Sequence, residues 1–594
     1  MLDLVIRNGR IVDGTGRPAF HGDVGVKDGR IAEITPKLGL AREEIDADGR
    51  LVTPGFVDVH THYDGQATWD PLLAPSVAHG VTTVVMGNCG VGFAPVHPSE
   101  SAKRELIELM DGVEDIPGTA LWEGLDWRWE TFPQYLDRLA EGRYAMDLAA
   151  QVPHGPLRAY VMRERGIRHE AASAGDIAQM ARLAAEGIRA GALAFSTSRI
   201  LGHQSLSGSP VPGTFAANDE LLGIGRAVAR AGGIFELVPG GSVGQGGFAL
   251  GSEEATLRGE LDWMERLSRE TGMPITYLLV EFQEDPDAFR EALRWTEQAN
   301  ARGAKLRPQT AGRPGGVLTG FQANHLFQRR PTYLKLAHLP LGERMRELRR
   351  AEVRAAILAE SDDAPKSRAL MDNLHLVFAR GIEQIFPLGD PVDYEPPPER
   401  SVAAQARRDG VAPERRIYEL MCEQDGRAML LMPTLNFVRG NHDALFEMLS
   451  HPDSILGLAD GGAHCGLICD ASTPTYMLTH WVRDRRRGPR LALEHAIRKQ
   501  TSETADLYGL RDRGRVAPGL RADLDVIDFD ALALPSPYVT HDLPAGGQRM
   551  MQDARGYAAT VVAGVITRRD DQDTGARPGR LVRGARNEEG LRCC

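Results

Sequence analysis

The sequence predicts an α/β fold: a (β/α)₈ TIM-like barrel with a small β-sandwich built from both termini and an inserted subdomain. Three observations predict it. Short strand-and-turn segments occupy both ends, the middle alternates apolar runs with helical periodicity, and the stretch 311–453 interrupts that alternation. The expected division is 1–53 plus 510–594 for the sandwich and 54–509 for the barrel, with 311–453 inserted within it.

In the first fifty residues Leu4-Val5-Ile6 leads through Asn8-Gly9 to Ile11-Val12, and Val24 and Val26 lead through Asp28-Gly29 to Ile31. Asn-Gly and Asp-Gly favour turns that match strand twist, so a series of hairpins is expected. Leu524-Asp525-Val526-Ile527-Asp528 alternates in the same way, and Thr560-Val561-Val562-Ala563-Gly564-Val565-Ile566 reads as strand, turn, strand. Eight candidate barrel strands follow at 55–62, 81–88, 145–153, 192–197, 233–238, 274–280, 304–309 and 454–460. Between the third and fourth, Ser173 with Asp176 caps a helix whose Ile177, Met180, Ala184 and Ile188 share one face. In such a barrel the active site lies at the C-terminal ends of the strands. The inserted stretch is too long for a simple crossover and contains Pro396-Pro397-Pro398 and an extra apolar run, 429–432. The tail after about 570 is polar and rich in Gly and Arg, which predicts poor order.

Composition narrows the function. The 594 residues are 42% hydrophobic and 25% charged, ordinary for a soluble globular protein. A formal charge of −12 speaks against nucleic acid or an anionic membrane as partner. No apolar run reaches the roughly 18 residues of a membrane span, and the start lacks the features of a signal peptide. Six cysteines in so long a chain form no disulfide framework. The expected setting is cytoplasmic, with a small-molecule substrate and homo-oligomerisation left open.

Pro54-Gly55-Phe56-Val57-Asp58-Val59-His60-Thr61-His62 carries the sharpest chemical signal. Residues two apart on a strand face the same way, so both imidazoles project together, as a zinc site on a β-scaffold requires. Leu456-Gly457-Leu458-Ala459-Asp460-Gly461-Gly462-Ala463-His464 ends an apolar strand in a carboxylate. Asp460 either caps the following turn or, beside the histidine pair, ligates metal and exchanges protons with water. In Val84-Val85-Met86-Gly87-Asn88-Cys89-Gly90 the cysteine is either an inert core thiol or a thiolate ligand.

In this order the three segments resemble the D-aminoacylase branch of the amidohydrolase superfamily. The chain is similar to N-acyl-D-amino-acid deacylases in a long form with an enlarged insertion. The likeness extends through Gly191-Ala192-Leu193-Ala194-Phe195-Ser196 and on to Ala517-Pro518-Gly519-Leu520-Arg521-Ala522-Asp523-Leu524. It implies a Zn²⁺-dependent amide hydrolase in which His60, His62 and Asp460 hold metal, Cys89 is a further ligand and Asp460 is catalytic. In that branch a cysteine on strand two replaces the carboxylated lysine that other amidohydrolases place on strand four. Accordingly, 192–197 contains no lysine.

Two departures stand out. The family's tight site takes one histidine from strand five and one from strand six, and neither strand has one here; Val238 and Leu279 stand at the empty positions. Either the centre holds one ion, the favoured reading over two, or His154 and His203, or Glu236 and Glu281, substitute. The family's strand-six lysine, thought to receive a substrate carboxylate, appears here as Glu281, and Arg199 or Arg313 could replace that cation; an ordinary surface salt bridge is the alternative for each. The rival functions are hydrolysis of a cyclic amide, carbamate or lactone, and a non-catalytic barrel acting as a scaffold. Gly240-Gly241-Ser242-Val243-Gly244 matches a nucleophile-elbow pattern, but no helix pattern follows at once, so a loop near the mouth is expected. Cys465 and Cys469 read as local packing, and Cys593-Cys594 as a flexible end.

Overall fold

The computed structural model describes residues 1–241, 256–365 and 371–584. The Ser242–Gly244 part of the elbow-like pattern and the terminal Cys593-Cys594 lie outside them.

All eight expected barrel strands are present. Phe56–Thr61, Val81–Met86, Asp147–Pro153, Ala194–Ser198, Ile234–Val238, Ile275–Leu278, Leu306–Thr310 and Ile455–Leu456 form one sheet in sequential order. Consecutive pairs are parallel, as in Phe235 opposite Phe195 on one side and Ile275 on the other. Most of these strands are buried along their full length, which is why they read as unbroken apolar runs. The connecting helix Ala174–Ala190 starts at the expected capping box: Ser173 and Asp176 each accept from the other's backbone N–H. It buries Met180, Ala184 and Ile188.

The eighth strand departs from expectation. Only Ile455–Leu456 pairs regularly, because Leu458 and Asp460 take left-handed φ values of 56° and 43°. The barrel closes instead through a bridge between Thr61 and Gly461. There the Asp460 N–H donates to His60 O at 3.0 Å and the His62 N–H to Gly461 O at 2.8 Å.

Both ends of the chain enter one nine-stranded sheet. Its seam is Leu51–Pro54 antiparallel to Leu524–Ile527, and Leu4, Ile6, Val24, Val52, Val526 and Val561 share its core. Asp28-Gly29 makes the expected turn, with Lys27 opposite Arg30. Asn8-Gly9 does not. Leu2–Ile11 runs on as one strand with a bulge there, and a Cβ at Gly9 would lie 2.5 Å from Val52 Cγ2. The glycine serves close approach, and Asn8 takes the left-handed φ of 55° that a bulge allows. As far as residue 584 the tail is better tied than its composition suggests, and the rest of it lies outside the described residues. Gln572–Asp573 adds an edge strand, Leu581 bridges to Leu148, and the Val582 N–H donates to Leu148 O at 2.7 Å.

Between strands seven and eight, Gly315–Thr319, Leu430–Leu435 and Phe386–Pro387 make a small sheet with its own core, including Phe321, Phe327, Phe378 and Tyr418. The apolar run at 429–432 lies mostly in its central strand. Past that strand, Asn436 clamps the insertion to the end of strand six. Its Oδ1 accepts the Glu281 N–H at 2.7 Å, and its N–H donates to Glu281 O at 2.9 Å.

Sheet and barrel are joined by a buried charge network. Arg513 donates to Asp147 at 2.7 Å and to Thr83 Oγ1 at 2.8 Å, while Arg521 and the Arg580 N–H share Asp147 Oδ1 at 3.0 and 2.9 Å. Removing one member leaves a charge buried without its partner. Arg513→Ala is therefore expected to destabilise the protein by about 3–5 kcal/mol, read as a lower urea midpoint; an unchanged midpoint would show that the network contributes nothing.

Candidate metal centre

At the C-terminal mouth of the barrel, ligand atoms of His60, His62 and Cys89 lie within 4.8 Å of one another, all buried. Cys89 Sγ is 3.4 Å from His60 Nε2, and Asp460 Oδ1 is 3.5 Å from His60 Nε2 and 3.6 Å from His62 Nε2. Zn–N distances of about 2.0–2.1 Å and Zn–S of about 2.3 Å place neighbouring tetrahedral donors about 3.3–3.6 Å apart. The pairs His60–Cys89, His60–Asp460 and His62–Asp460 stand at that spacing, as neighbouring ligands of a divalent ion do. The set fits on chemistry too, because both ring nitrogens of His62 are buried without a hydrogen-bond partner.

Each donor is held by local structure. His60 and His62 end strand one on the same face, as the two-residue repeat requires. His60 Nδ1 lies 3.0 Å from Gln309 Oε1 on strand seven. With the amide assigned by this contact, Nδ1 carries the proton and Nε2 presents its lone pair to the centre. A Cβ at Gly457 would come within 2.5 Å of Gln309 Oε1, so the neighbouring strand must be bare there. Cys89 follows strand two with a left-handed φ of 57°. Its loop is pinned by Asn88, whose Nδ2 donates to Thr61 O at 3.1 Å and Val85 O at 3.0 Å. Cys89, Leu458, Asp460 and His464 all have positive φ. Such backbone outliers cluster where a site over-determines the chain.

The electrostatics match. Burial lowers the His60 pKa and brings that of His62 down to about 4, so both rings are neutral at pH 7. Burial pushes the Cys89 thiol well up, and nearby carboxylates add to the shift. Burial also acts to raise Asp460, but His62, His60 and His464 outweigh it and hold the carboxyl below the usual range.

Glu114 is the residue that sequence reasoning missed. Its Oε2 is 3.4 Å from His62 Nε2, at the end of the helix Glu100–Glu114. The signal was present: Leu106, Ile107, Met110 and Glu114 all lie on that helix's buried face.

The centre opens into a cavity of about 190 Å³. Ile200, Val238, Leu278, Val280 and Leu435 contribute apolar wall, and His203, Arg313, Asp470 and Asn436 polar wall. Strand six thus faces it with Leu278 and Val280 rather than Leu279. His203 Nδ1 lies 2.9 Å from Ser198 Oγ, which orients the ring. Arg313 is not a surface group: it binds Asp470 Oδ1 at 2.8 Å, Ser472 Oγ and Cys469 O, and stacks over Tyr394. The other candidates point elsewhere. Arg199 is buried against Glu260 at 2.6 Å, and His154 bridges Thr197 and Glu220 at 2.9 Å each. Glu281 turns to the insertion, accepting from the Val438 N–H and Arg439, each at 3.1 Å. Glu236 sits on the same strand face as Val238, one layer deeper, and burial pushes it up to about 8. Cys465 and Cys469 are buried free thiols.

A wider depression of about 440 Å³ lies at the opposite end of the strands, lined among others by Pro274, Lys305 and Arg307; no donor cluster found among the described residues includes its lining. Glu395, His442 and His480 also come together. There Arg485 already grips both Glu395 oxygens at 3.1 and 3.2 Å, so a guanidinium supplies the positive charge.

A parallel α/β barrel with imidazole, thiol and carboxylate donors converging at its C-terminal mouth defines the class of metal-binding barrels. The chain belongs to the amidohydrolase family, whose model matches residues 43–568. D-aminoacylase of Alcaligenes xylosoxydans xylosoxydans is 26% identical over 588 residues, 98% of this chain and 97% of that protein. N-acyl-D-glutamate deacylase of the same organism is 34% identical over 232 residues, 39% of this chain and 42% of that protein. A crystal structure of D-aminoacylase superposes with a TM-score of 0.63 at 24% identity, covering 98% of this chain and all of that one. N-acyl-D-glutamate deacylase from Bordetella bronchiseptica, solved with zinc and a phosphonate inhibitor, gives 0.62 at 23% over the same shares. These two likenesses carry the fold. Among the described residues, no helix is long and apolar enough to cross a membrane.

Losing an outer partner that orients a ligating histidine typically costs 10–100-fold in metal affinity. Gln309→Leu is expected to weaken divalent-ion binding by about that factor, measured by chelator competition; unchanged affinity would remove Gln309 from the centre.

Proposed function

We propose that this chain is a zinc-dependent hydrolase of an amide C–N bond, of the N-acyl-D-amino-acid deacylase type. The reading is carried by one observation: His60, His62 and Cys89 present ligand atoms within 4.8 Å of one another at the barrel mouth, and Asp460 Oδ1 lies 3.5 and 3.6 Å from the two imidazoles. A bound divalent ion supplies an activated water and polarises the scissile carbonyl. Asp460 contributes the proton chemistry. Its Oδ1 lies against the two imidazoles, and its Oδ2 is 3.8 Å from the half-buried His464. A carboxylate so placed takes a proton from the attacking water and returns it to the leaving nitrogen. His203 and Arg313 are the substrate-facing polar groups, and the apolar wall accommodates an acyl or side chain. One ion is favoured over two because strands five and six present Val238, Leu278 and Val280 to the cavity. In this reading residues 54–509 form the catalytic barrel, 1–53 with 510–594 the sandwich that braces it, and 311–453 the insertion that walls the cavity.

A second reading, hydrolysis of a cyclic amide, carbamate or lactone, is favoured by the state of Arg313. It is the only Lys or Arg among the described residues lining the cavity, and Asp470 already neutralises it. A substrate carboxylate would have to compete with Asp470 for it.

Asp460→Asn is expected to lower kcat by about 10²–10⁴-fold, and His60→Ala to remove metal and activity together. Full hydrolysis by a metal-free double variant would sink the metal-dependent reading. Arg313→Met separates the two substrate classes. If Arg313 holds a carboxylate, kcat/KM should fall about 10–100-fold on N-acyl-D-amino acids, as for a lost charged hydrogen bond, and hold steady on their amides and cyclic analogues. Equal effects on all three would exclude Arg313 as the discriminating group.

A further inference from the structure

The helix after strand two brings a buried carboxylate to the barrel mouth, beside His62. We propose that Glu114 is itself a ligand of the metal centre, a carboxylate delivered by the helix after strand two rather than by a barrel strand. This rests on the metal-dependent reading above.

Three independent observations support it. The first is placement: Glu114 Oε2 is 3.4 Å from His62 Nε2, within the spacing that neighbouring ligands of one ion adopt. Glu114 lines the same cavity as His60, His62, Cys89 and Asp460.

The second is the absence of any other satisfaction. Glu114 is 2% exposed, and its Oε1 has no hydrogen-bond partner. A neutral carboxylic acid could have donated to His62 Nε2 and satisfied both groups. No such bond forms, and both nitrogens of that ring remain unpartnered. At 3.4 Å the two groups form no aligned hydrogen bond, and buried polar atoms left so are costly unless a third body binds both.

The third is how firmly the helix end is held. Glu114 O accepts the His464 N–H at 2.5 Å, and Asp115 O accepts the Cys465 N–H at 3.2 Å. Asp115 Oδ2 accepts the Gly466 N–H at 2.6 Å, and Asp115 itself adopts a left-handed φ of 53°. The loop that carries Asp460 and the helix end that carries Glu114 are therefore one unit. A side chain kept merely as core filling needs no such fixing, and a leucine would pack there without leaving an oxygen unpaired. The inference sets beside His62 a second carboxylate, from a chain segment far from Asp460 in sequence.

The test uses full-length protein stripped of metal and titrated with Zn²⁺, and separately with Co²⁺ as a spectroscopic stand-in. Wild type is compared with Glu114→Gln, which keeps shape and hydrogen bonding but loses the anion, and with Glu114→Asp, which keeps the charge. Far-UV circular dichroism checks that each variant is folded. The expected result is a loss of Zn²⁺ affinity beyond about 100-fold in E114Q, exceeding what removal of an orienting partner costs. A changed Co²⁺ visible absorption band should accompany it, with both effects partly reversed in E114D. If E114Q keeps wild-type affinity, or loses less than that with the Co²⁺ band unchanged, Glu114 is not a ligand and the metal-dependent reading stands. If the wild-type protein takes up neither ion, that reading fails and this inference with it.

Discussion

Two backbone hydrogen bonds hold the functional end of this barrel together: Asp460 N–H to His60 O and His62 N–H to Gly461 O. They close the cylinder where regular pairing has run out, since the eighth strand has only two paired residues. The same bonds set the first strand's histidines beside the last strand's carboxylate. Barrel closure and metal-site assembly are thus one event. The left-handed residues at Leu458, Asp460 and His464 follow from it, because the chain must turn sharply to keep both the pairing and the carboxylate in place.

Around that closure the protein buries a set of donors that compensate one another poorly. His60 and His62 are kept neutral, and Glu114 and Cys89 are pushed towards their neutral forms, all chiefly by burial. Buried polar groups are tolerated when paired, and several elsewhere among the described residues are. Glu395 has Arg485 and His480, Asp147 has Arg513 and Arg521, and Arg199 has Glu260. At the barrel mouth both His62 nitrogens and Glu114 Oε1 are buried without a hydrogen-bond partner, in the cavity where His60, His62 and Cys89 stand within ligand spacing.

The insertion contributes to this centre without supplying its donors. With its own apolar core it behaves as a separate packing unit, yet Asn436 fastens it to strand six and Leu435 walls the cavity. The same fastening turns Glu281 away from the centre, so the charge that would have repelled a substrate carboxylate is spent on Arg439 and the Val438 N–H. On the proposed reading, selectivity falls to the apolar wall, His203 and the Arg313–Asp470 pair.

Much of this was legible in the chain. Period-two strands and Asp-Gly or Ala-Gly turns are local signals, so the β-rich ends could be read residue by residue, as could the Ser173 cap. His60 and His62 share a strand face by covalent geometry alone, and Asp460 and Cys89 end apolar strands in the same order as in the family. Where reading failed, the deciding contact was distant. Asn8-Gly9 became a bulge because Val52 presses on Gly9, and the part of the tail around Val582 is held by Leu148. Arg199 and Arg313, which charge alone could place on a surface or in a site, are buried against Glu260 and Asp470. Glu114 shows the division most clearly. The sequence by itself put a carboxylate on the apolar face of a helix; only the tertiary structure brought that face against His62, because what a buried group meets depends on packing between segments far apart in the chain.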